Sequence, residues 1–277
     1  MKYSMVLATA ALLFLTIPTT AAAGDDAGIY RDILEQKAPS IVTVKLVLKV
    51  KIAFMGQSQD IEREVEVAGV IVDKSGLIMI SGDAFDIGGA LGQNDQIDMK
   101  VTPLSMDVIF EDDDEEYEAI LGAKDTNLNI AFVLIKDLKG KELKPVLFSD
   151  GAKVAVGQEL IGVTRYTKGF DYAAHFGTLR VTGQVYQPRP LWAIDGGFSG
   201  LGLPVFTKDG QVAGVLATQE GSEGTAEGGG GQLGMLLDMA GGISVFLLPV
   251  DTVNATILQA GKQAREALKK QEEEGDE

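Results

Sequence analysis

Apolar and polar side chains alternate along residues 40–52. Val44, Leu46, Leu48, Val50 and Ile52 share one parity, and Thr43, Lys45, Lys49 and Lys51 the other. A period of two puts every second side chain on one face, which predicts a half-buried strand. The same reading predicts strands at 64–72, 77–81, 105–110, 117–122 and 129–136 in the first half of the chain. In the second half it predicts them at 159–165, 176–186, 203–206, 211–218 and 242–248. Asp73-Lys74-Ser75-Gly76 reads as a turn, and 105–110 pairs with 117–122 as a hairpin across the acidic stretch 111–116. Helical periodicity is confined to the ends. Ile29, Ile33 and Leu34 share a face in 27–37 before Pro39, and a second helix is predicted over about 252–271. Many short strands with helix only at the termini predict an all-β barrel or sandwich.

The first residues carry a different signal. Lys2, the apolar run 5–17 and Ala21-Ala22-Ala23 form the three parts of a secretory leader cut near Ala23. The apolar run is too short to span a bilayer comfortably, so no stable membrane span is expected in the mature form. The expected location is the bacterial periplasm or the medium. With no cysteine there is neither a lipoprotein anchor nor a disulfide framework. Acidic residues outnumber basic ones, 40 to 24, for a formal charge of −16. That balance argues against nucleic acid and anionic membrane surfaces as partners and leaves a basic partner, such as a basic peptide segment, open beside the favoured reading of plain solubility.

Candidate chemistry centres on Gly196-Gly197-Phe198-Ser199-Gly200, a serine among glycines whose main-chain N–H groups can converge beside a hydroxyl. A serine hydroxyl becomes a good nucleophile only when a neighbouring base takes its proton. The chain has one histidine, His175, on the strand entering Phe176, where a structural role is favoured over catalysis. The acidic stretch 111–116 offers oxygens to a calcium ion, but contiguous acids seldom converge on one point, so a solvated hairpin tip is expected. The loop 220–234, with Gly228 to Gly231, lacks the lysine and serine of a phosphate cradle and reads as a surface loop. No metal or cofactor is expected.

Five segments together resemble the protease domain of the HtrA (Deg) group of trypsin-like serine proteases. They are Ala38-Pro39-Ser40-Ile41-Val42, the run from Ala68 through Gly76-Leu77-Ile78, the stretch 119–135 with Asn129-Ile130-Ala131, Gly197-Phe198-Ser199-Gly200, and Phe246-Leu247-Leu248-Pro249-Val250. The resemblance implies two six-stranded chymotrypsin-like β-barrels with the site between them. It divides the chain into an N-terminal barrel at 24–145, a C-terminal barrel at 146–260 and an acidic tail at 261–277, with no PDZ-like module. It puts Ser199 at the nucleophile position, with the N–H groups of Gly197 and Ser199 as the oxyanion hole. An extended peptide would pair with the strand Gly214, Val215, Leu216, Ala217 and Thr218.

Two positions depart from that pattern. Where the group has Thr-x-x-His this chain has Ile80-Ser81-Gly82-Asp83, so Asp83 stands at the base position. Asn129 stands where the group has its aspartate. A solvated aspartate is far too acidic to deprotonate an alcohol efficiently, and an asparagine cannot stabilise an imidazolium. Asp83 as a base with a burial-raised pKa is weighed against an ordinary turn aspartate. The expectation is an exported serine protease homologue without protease chemistry, keeping a scaffold or peptide-binding role. The alternative is a weak or unconventional serine endopeptidase or hydrolase that uses Ser199.

Overall fold

A computed structural model describes residues 26–54, 57–85, 97–111, 113, 115–149, 151–187, 189–220 and 243–275. The leader at 1–23 and the glycine run at 228–231 lie outside the described residues. Helix α1 (Asp26–Lys37) leads into six strands: β1 (Ile41–Phe54), β2 (Gln57–Ile71), β3 (Leu77–Ser81), β4 (Ile97–Ile109), β5 (Glu116–Asp125) and β6 (Ile130–Ile135). They close into an antiparallel barrel in the order β1-β2-β3-β6-β5-β4. Six more follow: β7 (Glu159–Arg165), β8 (Ala174–Val185), β9 (Leu191–Gly196), β10 (Pro204–Phe206), β11 (Val212–Glu220) and β12 (Ile243–Pro249). They close in the order β10-β11-β12-β9-β8-β7, and helix α2 (Val250–Gly275) ends the described chain. The all-β, two-barrel architecture is the expected one.

The alternation in β1 does its predicted work. Val44, Leu46 and Leu48 are fully buried in the core of the first barrel with Val42, Ile78, Ile80 and Val133. The central strands β3 and β6 are buried along their whole length, and their parities part company. Ile78 and Ile80 serve their own barrel, while Leu77, Met79, Ile130 and Phe132 join a second cluster with Leu203, Val205 and Leu216 of the other barrel. One continuous apolar contact therefore fixes the two barrels against each other, and burial on both faces explains the unbroken apolar runs of β3 and β6.

Arg165, at the end of β7, adds a polar bolt across the same junction. Its side chain is 3% exposed and donates to the carbonyls of Ile41 at 2.5 Å, Ala38 at 2.7 Å and Tyr172 at 3.0 Å, and it pairs with Glu111. A buried guanidinium is tolerable only when its donors are satisfied in this way.

Three features differ from the sequence reading. The first hairpin is longer than expected, with β1 and β2 paired from Ile41↔Val70 out to Phe54↔Gln57. Strand β9 was not anticipated. The C-terminal helix, expected over about 252–271, runs from Val250 to Gly275; Ala260 and Ala264 are buried, and Gly122 of β5 lets the helix approach so closely that a Cβ there would overlap Ala264. In the acidic hairpin each described carboxylate has its own partner. Glu111 pairs with Arg165, Asp113 with Lys141, Glu115 with Lys139 and Glu116 with Lys45. The Tyr117 hydroxyl, donating at 2.6 Å, holds Asp113 down at about 2, and that carboxylate in turn pushes Tyr117 up to about 12.

Candidate functional site

Strand β3 ends at Ser81 and the chain turns through a short 3-10 segment, Gly82–Phe85. Gly82 donates its N–H to the Asn129 carbonyl at 2.8 Å, and a Cβ at Gly82 would overlap the Asn129 side chain. Asn129 itself sits at φ 54°, the left-handed region that asparagine tolerates better than most residues. This close approach sets the Asn129 amide beside Asp83. The carboxylate Oδ1 accepts from Asn129 Nδ2 at 2.6 Å and from the Thr218 hydroxyl at 3.1 Å. Oδ2 accepts from the Ser81 hydroxyl at 3.1 Å and is 2.9 Å from the Thr218 hydroxyl. The Asp83 N–H returns to Ser81 Oγ at 3.2 Å, and Asn129 Nδ2 also reaches Thr218. Asp83 and Asn129 are thus half-buried in a closed polar knot, and Thr218 brings it a member from the second barrel.

Ser199 lies in the loop between β9 and β10. Its neighbour Phe198 is 6% exposed and lies over Gly162, Gly177 and Gly200. Gly162 and Gly177 face each other across the β7–β8 ladder, so the pair leaves a slot the width of a ring. Any Cβ at Gly162 or Gly200 would overlap the phenyl ring. Phe198 thus anchors the serine turn. Ser199 remains exposed, and among the described residues its hydroxyl has no hydrogen-bond partner. Its carbonyl accepts from Leu201 at 2.9 Å. The N–H of Gly197 is directed at the Thr178 carbonyl, 3.2 Å away, so this proposed oxyanion-hole donor is occupied in this conformation.

Asp83 and Ser199 line one cleft of about 420 Å³ between the barrels. Its first-barrel wall is Arg63, Val65, Val67 and Ala68 of β2, and Thr164, Gly200 and Leu201 stand opposite. A second hollow of about 260 Å³ lies on the other side of Ser199, walled by Leu179, Ile194, Leu201 and Val245. His175 is not among the residues that line either hollow. It lies on β8, paired with Thr164, with its ring stacked 4.0 Å from that of Tyr166.

The strand expected to receive a peptide is mostly occupied. On one edge residues 214–220 pair with β12. On the other, Gly214 and Val215 pair with β10, the Leu216 N–H donates to Leu203 at 3.1 Å, and the Leu216 carbonyl accepts from Gly202 at 2.7 Å. Alternation turns Ala217 toward β12 and Thr218 outward, where the Gln219 amide caps its carbonyl at 2.7 Å. A proline at Leu216 would therefore break an internal ladder bond rather than report on peptide pairing.

The structure joins Asp83 to Asn129 and sets Asp83 and Ser199 in a common cleft, as the resemblance implied. It also recruits Ser81, Thr218, Phe198 and Arg63, which sequence reasoning had not given these roles. Ser81 carried a local signal, a hydroxyl two residues before an aspartate. Thr218 carried none, because its contact with Asp83 spans both barrels.

No family model matches the chain, and no curated protein matches it. Solved structures do match. A crystal structure of Deg5 superimposes with a TM-score of 0.53 at 17% sequence identity, covering 83% of this chain and 93% of that one. The chain thus has the two-barrel, trypsin-like fold seen in Deg5.

Proposed function

We propose that this protein is an exported, catalytically inactive homologue of the trypsin-like serine proteases that retains a peptide-binding cleft. The observation that carries the reading is the closure of the Asp83 knot. Both carboxylate oxygens already accept hydrogen bonds, from Ser81, Asn129 and Thr218, so the group at the base position is held by three donors that are not the Ser199 hydroxyl. General-base catalysis needs a group within hydrogen-bond reach of the proton it removes, with a pKa near working pH. The Ser199 hydroxyl has no such partner among the described residues, and the nearby Gly197 N–H is turned away. The leader-like segment at 1–23 supports export.

A second reading, a weak serine hydrolase, draws support from the exposure of Ser199 between two hollows. The two are separated by incubating the mature protein and its Ser199→Ala variant with an unfolded protein substrate. The inactive reading expects no cleavage above buffer by either. Cleavage by the unaltered protein that disappears in Ser199→Ala would establish the hydrolase instead.

A further inference from the structure

The cleft has an open strand edge and, among the described residues, a cation without a partner, and both belong to β2. On its outer side β2 meets β3 only through Val70↔Met79 and Ile71↔Ile78. From Gln57 to Gly69 that edge has no strand partner among the described residues, although the inner edge pairs with β1 throughout. An open edge is a template for an added strand. The part of β2 that lines the cleft supplies apolar contacts through Val65 and Val67.

The charges of the cleft sort simply. Asp83 is held by three side chains, and Arg165 by three carbonyls and Glu111. Arg63 is exposed and forms no ion pair or hydrogen bond among the described residues. Its chain neighbours Glu62 and Glu64 fall on the opposite face of the pleat. The net charge of −16 favours basic peptides at long range, but charges beyond roughly 8–10 Å are largely screened at physiological salt, so selectivity inside the cleft rests on its own charges: Arg63 on the β2 wall attracts a carboxylate, and Asp83, held by neutral donors, repels one placed beside it.

We propose that the cleft takes an extended peptide that pairs with the outer edge of β2 and sets an acidic side chain against Arg63. The proposal rests on the peptide-binding reading above and names its ligand class. Arginine suits this task because its planar fork can engage both carboxylate oxygens.

The test uses three amidated peptides of alternating valine and threonine, identical except for glutamate, glutamine or lysine at one central position. Binding to the mature protein is read by fluorescence anisotropy. The glutamate peptide should bind roughly three- to tenfold more tightly than the lysine peptide, as expected for a partly screened pair. Arg63→Glu, with an unchanged circular dichroism spectrum, should reverse the order. Methylating alternate main-chain nitrogens of the glutamate peptide should abolish binding. Equal affinities for the three peptides, or an unchanged order in Arg63→Glu, would overturn the carboxylate assignment while leaving a peptide cleft. A glutamine peptide with a free C-terminus that matches the glutamate peptide would overturn the side-chain assignment in favour of a terminal carboxylate. Indifference to methylation would overturn edge pairing. Binding by none of the peptides would remove the peptide-binding reading, and this proposal with it.

Discussion

Phe198→Ala should cost about 3–5 kcal/mol of folding stability, the usual range for emptying a buried aromatic site. The ring is 6% exposed and fills the slot left by the facing Gly162 and Gly177, with Gly200 beneath it. Glycines cannot swing side chains into the void, so the site collapses poorly and the loss should fall at the upper end. Phe198→Leu keeps most of the apolar volume and should cost less, about 1–2 kcal/mol. Urea unfolding of the two variants checks this, and equal small losses would show that the ring does not occupy the slot. The loop bearing Ser199 should also loosen in Phe198→Ala, visible as faster amide exchange around 197–201.

Gly202→Ala should be the next most damaging. Gly202 is at φ 76°, where a Cβ adds about 1–2 kcal/mol of backbone strain. A methyl there would also overlap the Ser81 nitrogen and come within 2.5 Å of the Ile80 carbonyl carbon, both in the opposite barrel. Neither atom belongs to a flexible side chain, so the barrels must shift, adding about 1–3 kcal/mol as overpacking does. The combined loss is about 2–5 kcal/mol. Gly140→Ala is the matched control: its φ is 82°, but nothing lies within 4 Å of the added carbon. It should show only the strain component. Equal losses in the two variants would mean that Gly202 does not mediate the contact between barrels.

These two positions show what the sequence conveyed and what it withheld. The period of two in β1 and the apolar runs of β3 and β6 were readable because burial imposes them residue by residue. The Asp83, Asn129 and Ser199 positions emerged through order and spacing along a familiar plan. The role of Phe198 did not, since Gly162 and Gly177 lie on another part of the chain and become a slot only when β7 and β8 pair in register. Strand β9 is short and its Leu191-Trp192-Ala193-Ile194 core lacks alternation, so periodicity gave no warning of it. The expectation of an open edge at 214–218 failed to foresee that the Gly202 and Leu203 main chain would occupy Leu216. Tertiary hydrogen bonds of this kind leave no trace in local pattern.

Reaction with a fluorophosphonate probe addresses the central claim most directly, because such probes label serines whose hydroxyl is activated. Mature protein and a working serine protease would be treated side by side, with labelling at Ser199 followed by peptide mass spectrometry. With Asp83 enclosed by Ser81, Asn129 and Thr218, Ser199 should stay unmodified while the working enzyme is labelled to completion. Stoichiometric modification of Ser199 at a comparable rate would contradict the account.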